Sequence, residues 1–207
     1  MKNIYKQSIV VIIIMCIMMI ATACSSQAPI FEEDKTYTYK SIPDAQDNFS
    51  YAQFSVWCPK NVKTYRGILY LGAGYEYSSI PMAYDENWRD FARENEFIIL
   101  TSHMKSRTEK STEIEYWQAE YGSGQEMLNA LKYFAKEAKH PEVEHAPLAM
   151  WGFSAGGQFN YQFACWKPER VITFVAIKGG YYFSEPSNEA LKIPALFFTG
   201  ENDLQRR

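Results

Sequence analysis

Two rhythms of apolar residues run along this chain. Short apolar or alternating runs, Tyr37 to Ile42, Tyr51 to Trp57, Gly67 to Leu71, Phe97 to Thr101, Leu148 to Trp151, Val171 to Ile177 and Ala195 to Thr199, predict strands. Between them the period lengthens. Trp88, Phe91 and Ala92 stand at i, i+3 and i+4 and predict a helix over about 85–93. Met127, Leu128, Leu131, Phe134, Ala135 and Ala138 share one face of a longer helix. Its start is set at Ser123-Gly124-Gln125-Glu126, which has capping-box spacing, and Pro141 ends it. A third helix is expected from Ala155 to Trp166. Alternating strands and helices, with strands apolar throughout, predict an α/β fold: a mostly parallel sheet with helices on both faces.

The first residues follow neither rhythm. Lys2 and Lys6 precede an unbroken apolar stretch from Ile9 to Ile20, which ends at Ala21-Thr22-Ala23-Cys24. The stretch falls short of the ~20 residues that span a bilayer as a helix, so residues 1–23 read as a secretory signal. Cys24-Ser25-Ser26-Gln27-Ala28-Pro29 resembles the lipidated cysteine and polar tether of bacterial lipoproteins, although Ala21 stands where those signals usually carry Leu. Ala21-Thr22-Ala23 also suits ordinary secretory cleavage. The resemblance implies an acylated Cys24, a tether over 24–35, and a membrane-anchored cell-envelope protein facing periplasm or exterior. Residues 36–207 remain for one domain.

Composition narrows the partners. Removing Lys2 and Lys6 with the signal takes the formal charge from -3 to -5. No Lys/Arg stripe with interleaved aromatics is present, so nucleic acid is not an expected partner. Of four cysteines, Cys16 leaves with the signal and Cys24 is expected to be acylated. Cys58 and Cys165 remain, expected as small buried thiols, although export would permit a disulfide. No Cys/His cluster has zinc-site spacing, and no metal or organic cofactor is implied.

The chemistry concentrates at Gly152-Phe153-Ser154-Ala155-Gly156-Gly157, directly after the strand-like Leu148 to Trp151. A serine between glycines at a strand-to-helix junction is the signature of a nucleophile on a strained turn. There the glycines tolerate crowded backbone, Ser154 Oγ is exposed, and the Ala155 N–H faces the developing oxyanion.

With these features the chain resembles the α/β-hydrolase superfamily, in particular its secreted esterase branch related to dienelactone hydrolases and polyester depolymerases. The resemblance runs from about Tyr51 to the end. It rests on the Ser154 turn, on Gly72-Ala73-Gly74-Tyr75 after the Leu71 strand, and on Pro194-Ala195-Leu196-Phe197-Phe198-Thr199-Gly200-Glu201-Asn202-Asp203. In the family that last pattern ends on the aspartate that orients the catalytic histidine. The resemblance therefore implies Asp203 as triad acid, with Glu201 a weaker stand-in and a solvated turn aspartate the plain alternative. It also implies a second oxyanion N–H from Ala73 or Gly74, unless that segment is a simple strand-end turn. Tyr75 and Tyr77 either line the acyl pocket or lie on the surface.

Histidine breaks the pattern. The family places it after the acid, and none follows Asp203. His140 and His145 precede the Leu148 strand and belong at the opposite sheet edge as loop residues, while His103 follows the Phe97 strand on the catalytic edge. The family's strand order implies that His103 lies two strands, ~10 Å, from the Ser154 strand, so it reads as a pocket-lining or surface residue more readily than as the base. The expectation is an esterase chain whose last strand, histidine loop and final helix are missing, leaving the Ile193 to Thr199 run as an uncovered edge. Its implied reaction is acyl transfer through Ser154 on an acylated saccharide or small ester, with these residues alone inactive. A non-catalytic pseudo-hydrolase, a prolyl-oligopeptidase-type peptidase and a purely structural lipoprotein are the alternatives.

Overall fold

A computed structural model describes residues 36–60, 62–107 and 114–203. The signal segment, Cys24 and the tether through residue 35 lie outside the described residues. The elements are β1 (Tyr37–Lys40), β2 (Phe49–Trp57), β3 (Gly67–Gly72), α1 (Glu86–Asn95), β4 (Phe97–Ser106), α2 (Ser123–Glu137), β5 (Leu148–Phe153), α3 (Ala155–Trp166), β6 (Val171–Ile177) and β7 (Ala195–Phe198). Each expected strand and helix forms. They build one sheet in the order β1-β2-β4-β3-β5-β6-β7. β1 pairs with β2, and β2 with β4, antiparallel; every pairing from β4 to β7 is parallel.

Side-chain alternation divides the core between the two faces. Ile68, Tyr70, Ile98, Leu100, Leu148 and Met150 turn to the face covered by α2 and α3. Leu69, Leu71, Ile99 and Ala149 turn to a smaller cluster closed by Ala92 and Trp88 of α1. α2 sits where its apolar stripe predicts, with Met127, Leu131, Phe134 and Ala135 buried, whereas in α1 only Trp88 and Ala92 of the expected stripe pack inward and Phe91 is exposed. Truncating a fully buried side chain such as Leu100 to Ala is expected to cost about 2–5 kcal/mol.

Four expectations need correction. Ser123 does not cap α2: the N-cap is Gly122, whose φ of 127° favours glycine, and Ser123 Oγ donates instead to Tyr116 O at 2.5 Å. Glu126 does not reach back to the cap, because its carboxylate accepts from Tyr39 OH and from Asn129 Nδ2, each at 2.8 Å. β4 continues five residues past Thr101 to Ser106, since β2 pairs with its polar end through Gln53↔His103 and Phe49↔Ser106. Cys58 is buried and free as expected, but Cys165 is free and only half-buried, its Sγ facing Ser184 O at 3.9 Å. β7 forms the sheet edge among the described residues, with all four of its residues exposed.

Candidate active site

Ser154 sits between β5 and α3 with φ 54° and ψ -121°. A left-handed φ at a non-glycine residue is strained, and surrounding contacts must hold it. Its N–H donates to Ile177 O at the end of β6 at 2.7 Å, and its carbonyl accepts Gln158 N at 3.1 Å to open α3. The flanking glycines permit this because backbone passes over backbone: a Cβ at Gly152 would collide with Gly156 and Gly157, and one at Gly156 would meet Ala73 O and Gly72 C and O at 2.6 Å. These contacts put the turn after β3 directly against the start of α3.

That turn carries Ala73 and Gly74. A Cβ built at Gly74 would lie 3.8 Å from Ser154 Cβ, so the two segments flank one small space. Ala155 is the first residue of α3, where N–H groups are left unpaired by the helix. The arrangement therefore brings Ser154 Cβ beside the Ala73-Gly74 turn at the N-terminus of α3.

Tyr116 fastens the turn and was not legible in the sequence, because it belongs to an irregular segment without periodicity. Its hydroxyl accepts Glu76 N at 3.3 Å and donates to Gly74 O at 3.4 Å. Burial pushes the Tyr116 phenol well up, so it stays protonated and able to donate. Glu76, itself at φ 57°, accepts Ser106 N on Oε1 at 3.0 Å, which ties the turn to the end of β4. Tyr75 stacks on Tyr116 with centroids 5.9 Å apart, and its hydroxyl donates to Glu115 at 2.8 Å. Tyr77 is exposed.

The register fixes the remaining residues. Phe153, Ile177 and Phe198 are aligned across β5, β6 and β7, so the segments that follow them leave from one sheet edge. Asp203 belongs to the segment after β7, on the same edge as Ser154 and two strand steps away, about 10 Å laterally. Its Oδ2 accepts Gly200 N at 2.5 Å, and its own N–H donates to Gly200 O at 3.0 Å. Glu201 lies in the same turn and is exposed.

His103 lies on β4 with Nε2 3.2 Å from Glu76 O and its ring edge-on to Tyr51. His140 and His145 flank a 3-10 turn at 141–144 that precedes β5, at the edge opposite Ser154. The expectation of plain loop histidines fails in part. His140 is only 2% exposed, held by Glu142 at 2.8 Å and packed on Tyr65. No group of three metal-ligating side chains occurs among the described residues.

No family model matches the sequence, and no curated protein matches it. Solved structures do. A poly(aspartic acid) hydrolase-1 from Sphingomonas sp. KT-1 superposes over 80% of this chain and 71% of its own, with TM-score 0.54 and 17% identity. A thermostable esterase covers 84% and 48%, with TM-score 0.59 and 14% identity. An S-formylglutathione hydrolase from Agrobacterium tumefaciens covers 80% and 68%, with TM-score 0.53 and 12% identity. The fold is that of the α/β-hydrolases. This chain spans from about half to about seven-tenths of the length of those α/β-hydrolases, and at such low identity the likeness establishes architecture alone. Ser154 occupies the junction between the fifth strand of this α/β-hydrolase sheet and the helix that follows it.

Proposed function

We propose that the protein is a serine carboxylic-ester hydrolase built to act through an acyl-enzyme on Ser154. The observation that carries the reading is the backbone of Ser154, held at φ 54° on a strand-to-helix turn, with Gly74 beside its Cβ. In this mechanism Ser154 Oγ attacks the ester carbonyl and its proton passes to a base. The tetrahedral oxyanion is held by the Ala155 N–H and an N–H of Ala73 or Gly74. Collapse breaks the C–O bond and releases the alcohol with that proton, and water then frees the acid by the reverse sequence. Asp203 is the acid that would orient a histidine base.

The base is the open part of this assembly. Asp203 follows β7 while His103 lies on β4, with β6, β5 and β3 between them. The two are four strand steps apart, roughly 19 Å, too far for a carboxylate–imidazole hydrogen bond. Residues 1–207 by themselves are therefore expected to be nearly inactive, since loss of a triad member commonly costs on the order of 10⁴-fold. The same geometry favours a second reading, a binding protein of hydrolase architecture.

As substrate we propose an acylated saccharide or small ester, met at the cell envelope by a protein anchored through Cys24. Membrane-fraction intact mass tests the anchor: diacylglyceryl mass on a chain beginning at Cys24 supports it, and an unmodified cysteine overturns it. Activity is tested with p-nitrophenyl acetate, a fluorophosphonate probe and a boronic acid followed by boron NMR. The expected outcome is negligible turnover with a tetrahedral boronate adduct that Ser154→Ala abolishes. Hydrolysis that survives Ser154→Ala overturns the nucleophile. Vigorous hydrolysis lost in His103→Ala would make His103 the base.

A further inference from the structure

Two segments leave the Ser154 site on different sides and meet in a stack of rings. From the Gly74 side, Tyr116 holds the turn and the next residue is Trp117. From the β6 side, Ile177 O accepts Ser154 N, and the chain continues through Lys178, Gly179 and Gly180 to Tyr181 and Phe183. Trp117 and Tyr181 lie 6.3 Å apart at 16°, Tyr181 and Phe183 5.5 Å apart at 19°, and Trp117 and Phe183 5.6 Å apart at 32°. Most other ring pairs among the described residues meet edge-on or tilted; Tyr181 runs nearly parallel to both Trp117 and Phe183, while Trp117 and Phe183 are tilted to one another. Trp117 is buried at 6% exposure, whereas Tyr181 is 41% and Phe183 61% exposed. The tryptophan is thus a fixed backing, and the other two rings are partly open to solvent.

A second feature lies under the same loop. Gln158, in the first turn of α3 and 5% exposed, has a buried Nε2 with no hydrogen-bond partner among the described residues. A buried amide left without a partner is costly. The oxygen of the same amide faces Gly180: a Cβ there would meet Gln158 Oε1 at 3.8 Å and nothing nearer.

We propose that Tyr181 and Phe183, backed by Trp117, form a subsite for a pyranose ring of the substrate, with the Gln158 amide as the polar partner for its hydroxyls. A sugar ring presents an apolar C–H face and a rim of hydroxyls. Parallel exposed rings beside an unpaired amide match both, whereas a planar aromatic acyl group would use the rings and leave the amide unpaired. The proposal rests on the Ser154 edge being the substrate site, and it concerns binding alone, so it stands or falls without turnover.

The test is calorimetric titration of the full chain in mild detergent with xylohexaose and cellohexaose, with methyl ferulate in parallel. Saturable binding of at least one hexaose is expected, at about millimolar affinity or tighter. Tyr181→Ala and Phe183→Ala should each weaken it about three- to tenfold, from the ~0.5–1.5 kcal/mol an aromatic contact carries. Phe183→Tyr should restore binding, Gln158→Leu should weaken it, and the exposed control Tyr77→Ala should leave it unchanged. Ser154→Ala should bind as well as the parent chain, which separates this proposal from the esterase reading. Three results overturn it: no hexaose binding at ~10 mM, hexaose affinity unchanged in the Tyr181→Ala/Phe183→Ala double variant with a parent-like circular dichroism spectrum, or binding of methyl ferulate alone.

Discussion

Gly156→Ala probes the contact that brings the two halves of the site together. The added Cβ would stand 2.6 Å from Ala73 O and from both the carbonyl carbon and oxygen of Gly72. All three are backbone atoms of a strand end and its turn, so none can rotate away. Reaching ordinary contact at 3.4 Å requires α3 and the turn after β3 to separate by about 0.8 Å. Overpacking of that kind costs about 1–3 kcal/mol, even though alanine favours the helix by up to ~1 kcal/mol over glycine. A domain of this size loses roughly 2–4 °C per kcal/mol, so the melting temperature should fall by about 2–12 °C. The displacement also opens the space between Gly74 and Ser154, and a misplacement near 1 Å is worth about 10²-fold in a reacting geometry.

The assay is urea unfolding of Gly156→Ala beside Gly180→Ala. At Gly180 an added Cβ meets nothing nearer than 3.8 Å and the backbone does not need a left-handed φ, so a change within about 0.5 kcal/mol is expected. The boronate adduct expected on Ser154 should weaken in Gly156→Ala alone. If the two variants unfold at the same urea concentration, the β3–α3 approach is looser than described, and the oxyanion geometry built on it fails.

Ser154→Gly should raise stability by about 1 kcal/mol by relieving the strained φ of 54°, and a decrease in the urea midpoint would refute the strain. Glu142 is partly desolvated, but hydrogen bonds from His140 and from Tyr65 N hold its carboxyl below the usual range. A depressed folded-state pKa gives stability that is present above the unfolded value near ~4.3 and lost as pH falls through the folded one. Melting curves from pH 6 to pH 3 should therefore fall more steeply for the parent chain than for Glu142→Gln; identical slopes would refute the coupling. Burial pushes the Cys58 thiol well up, so it should resist an aromatic disulfide reagent until the protein unfolds, while half-buried Cys165 reacts in the folded state; rapid labelling of Cys58 would contradict its packing.

The strands were legible because a sheet covered on both faces demands apolar residues at every position, and β3 and β5 supply them as nearly unbroken runs. The Ser154 turn was legible for a related reason: glycine is required where backbone crosses backbone, and Gly152 and Gly156 mark the crossing. What escaped was held by partners distant in sequence. Asn48 fixes the irregular stretch before α2, its Nδ2 donating to Glu115 O and Gln118 O, each at 2.8 Å, while its Oδ1 accepts Ser123 N at 3.0 Å. That network takes over Ser123 and cancels the capping box that local spacing suggests. Residues 102–106, polar apart from the buried Met104, extend β4 because β2 is there to pair with them. His140 reads as a loop residue until Glu142 and Tyr65 are seen to enclose it.

Whether this architecture turns substrate over is decided by lateral distance along one sheet edge. Ser154 leaves β5, and Asp203 lies two strands to one side of it while His103 lies two strands to the other. A side chain bridges one strand step of about 4.8 Å with ease and two steps only at full reach, so His103 and Asp203 can each approach the centre, but neither can touch the other. A base at His103 would need an acid on its own side. Glu76 is nearest in the network, but Oε1 of its carboxylate is taken by Ser106 N, and it is the Glu76 backbone carbonyl that meets His103 Nε2. That carbonyl holds the imidazole against the turn after β3. On the proposed esterase reading, His103 is engaged with the Glu76 backbone and lies four strand steps from Asp203, which is why these residues are expected to turn substrate over so slowly.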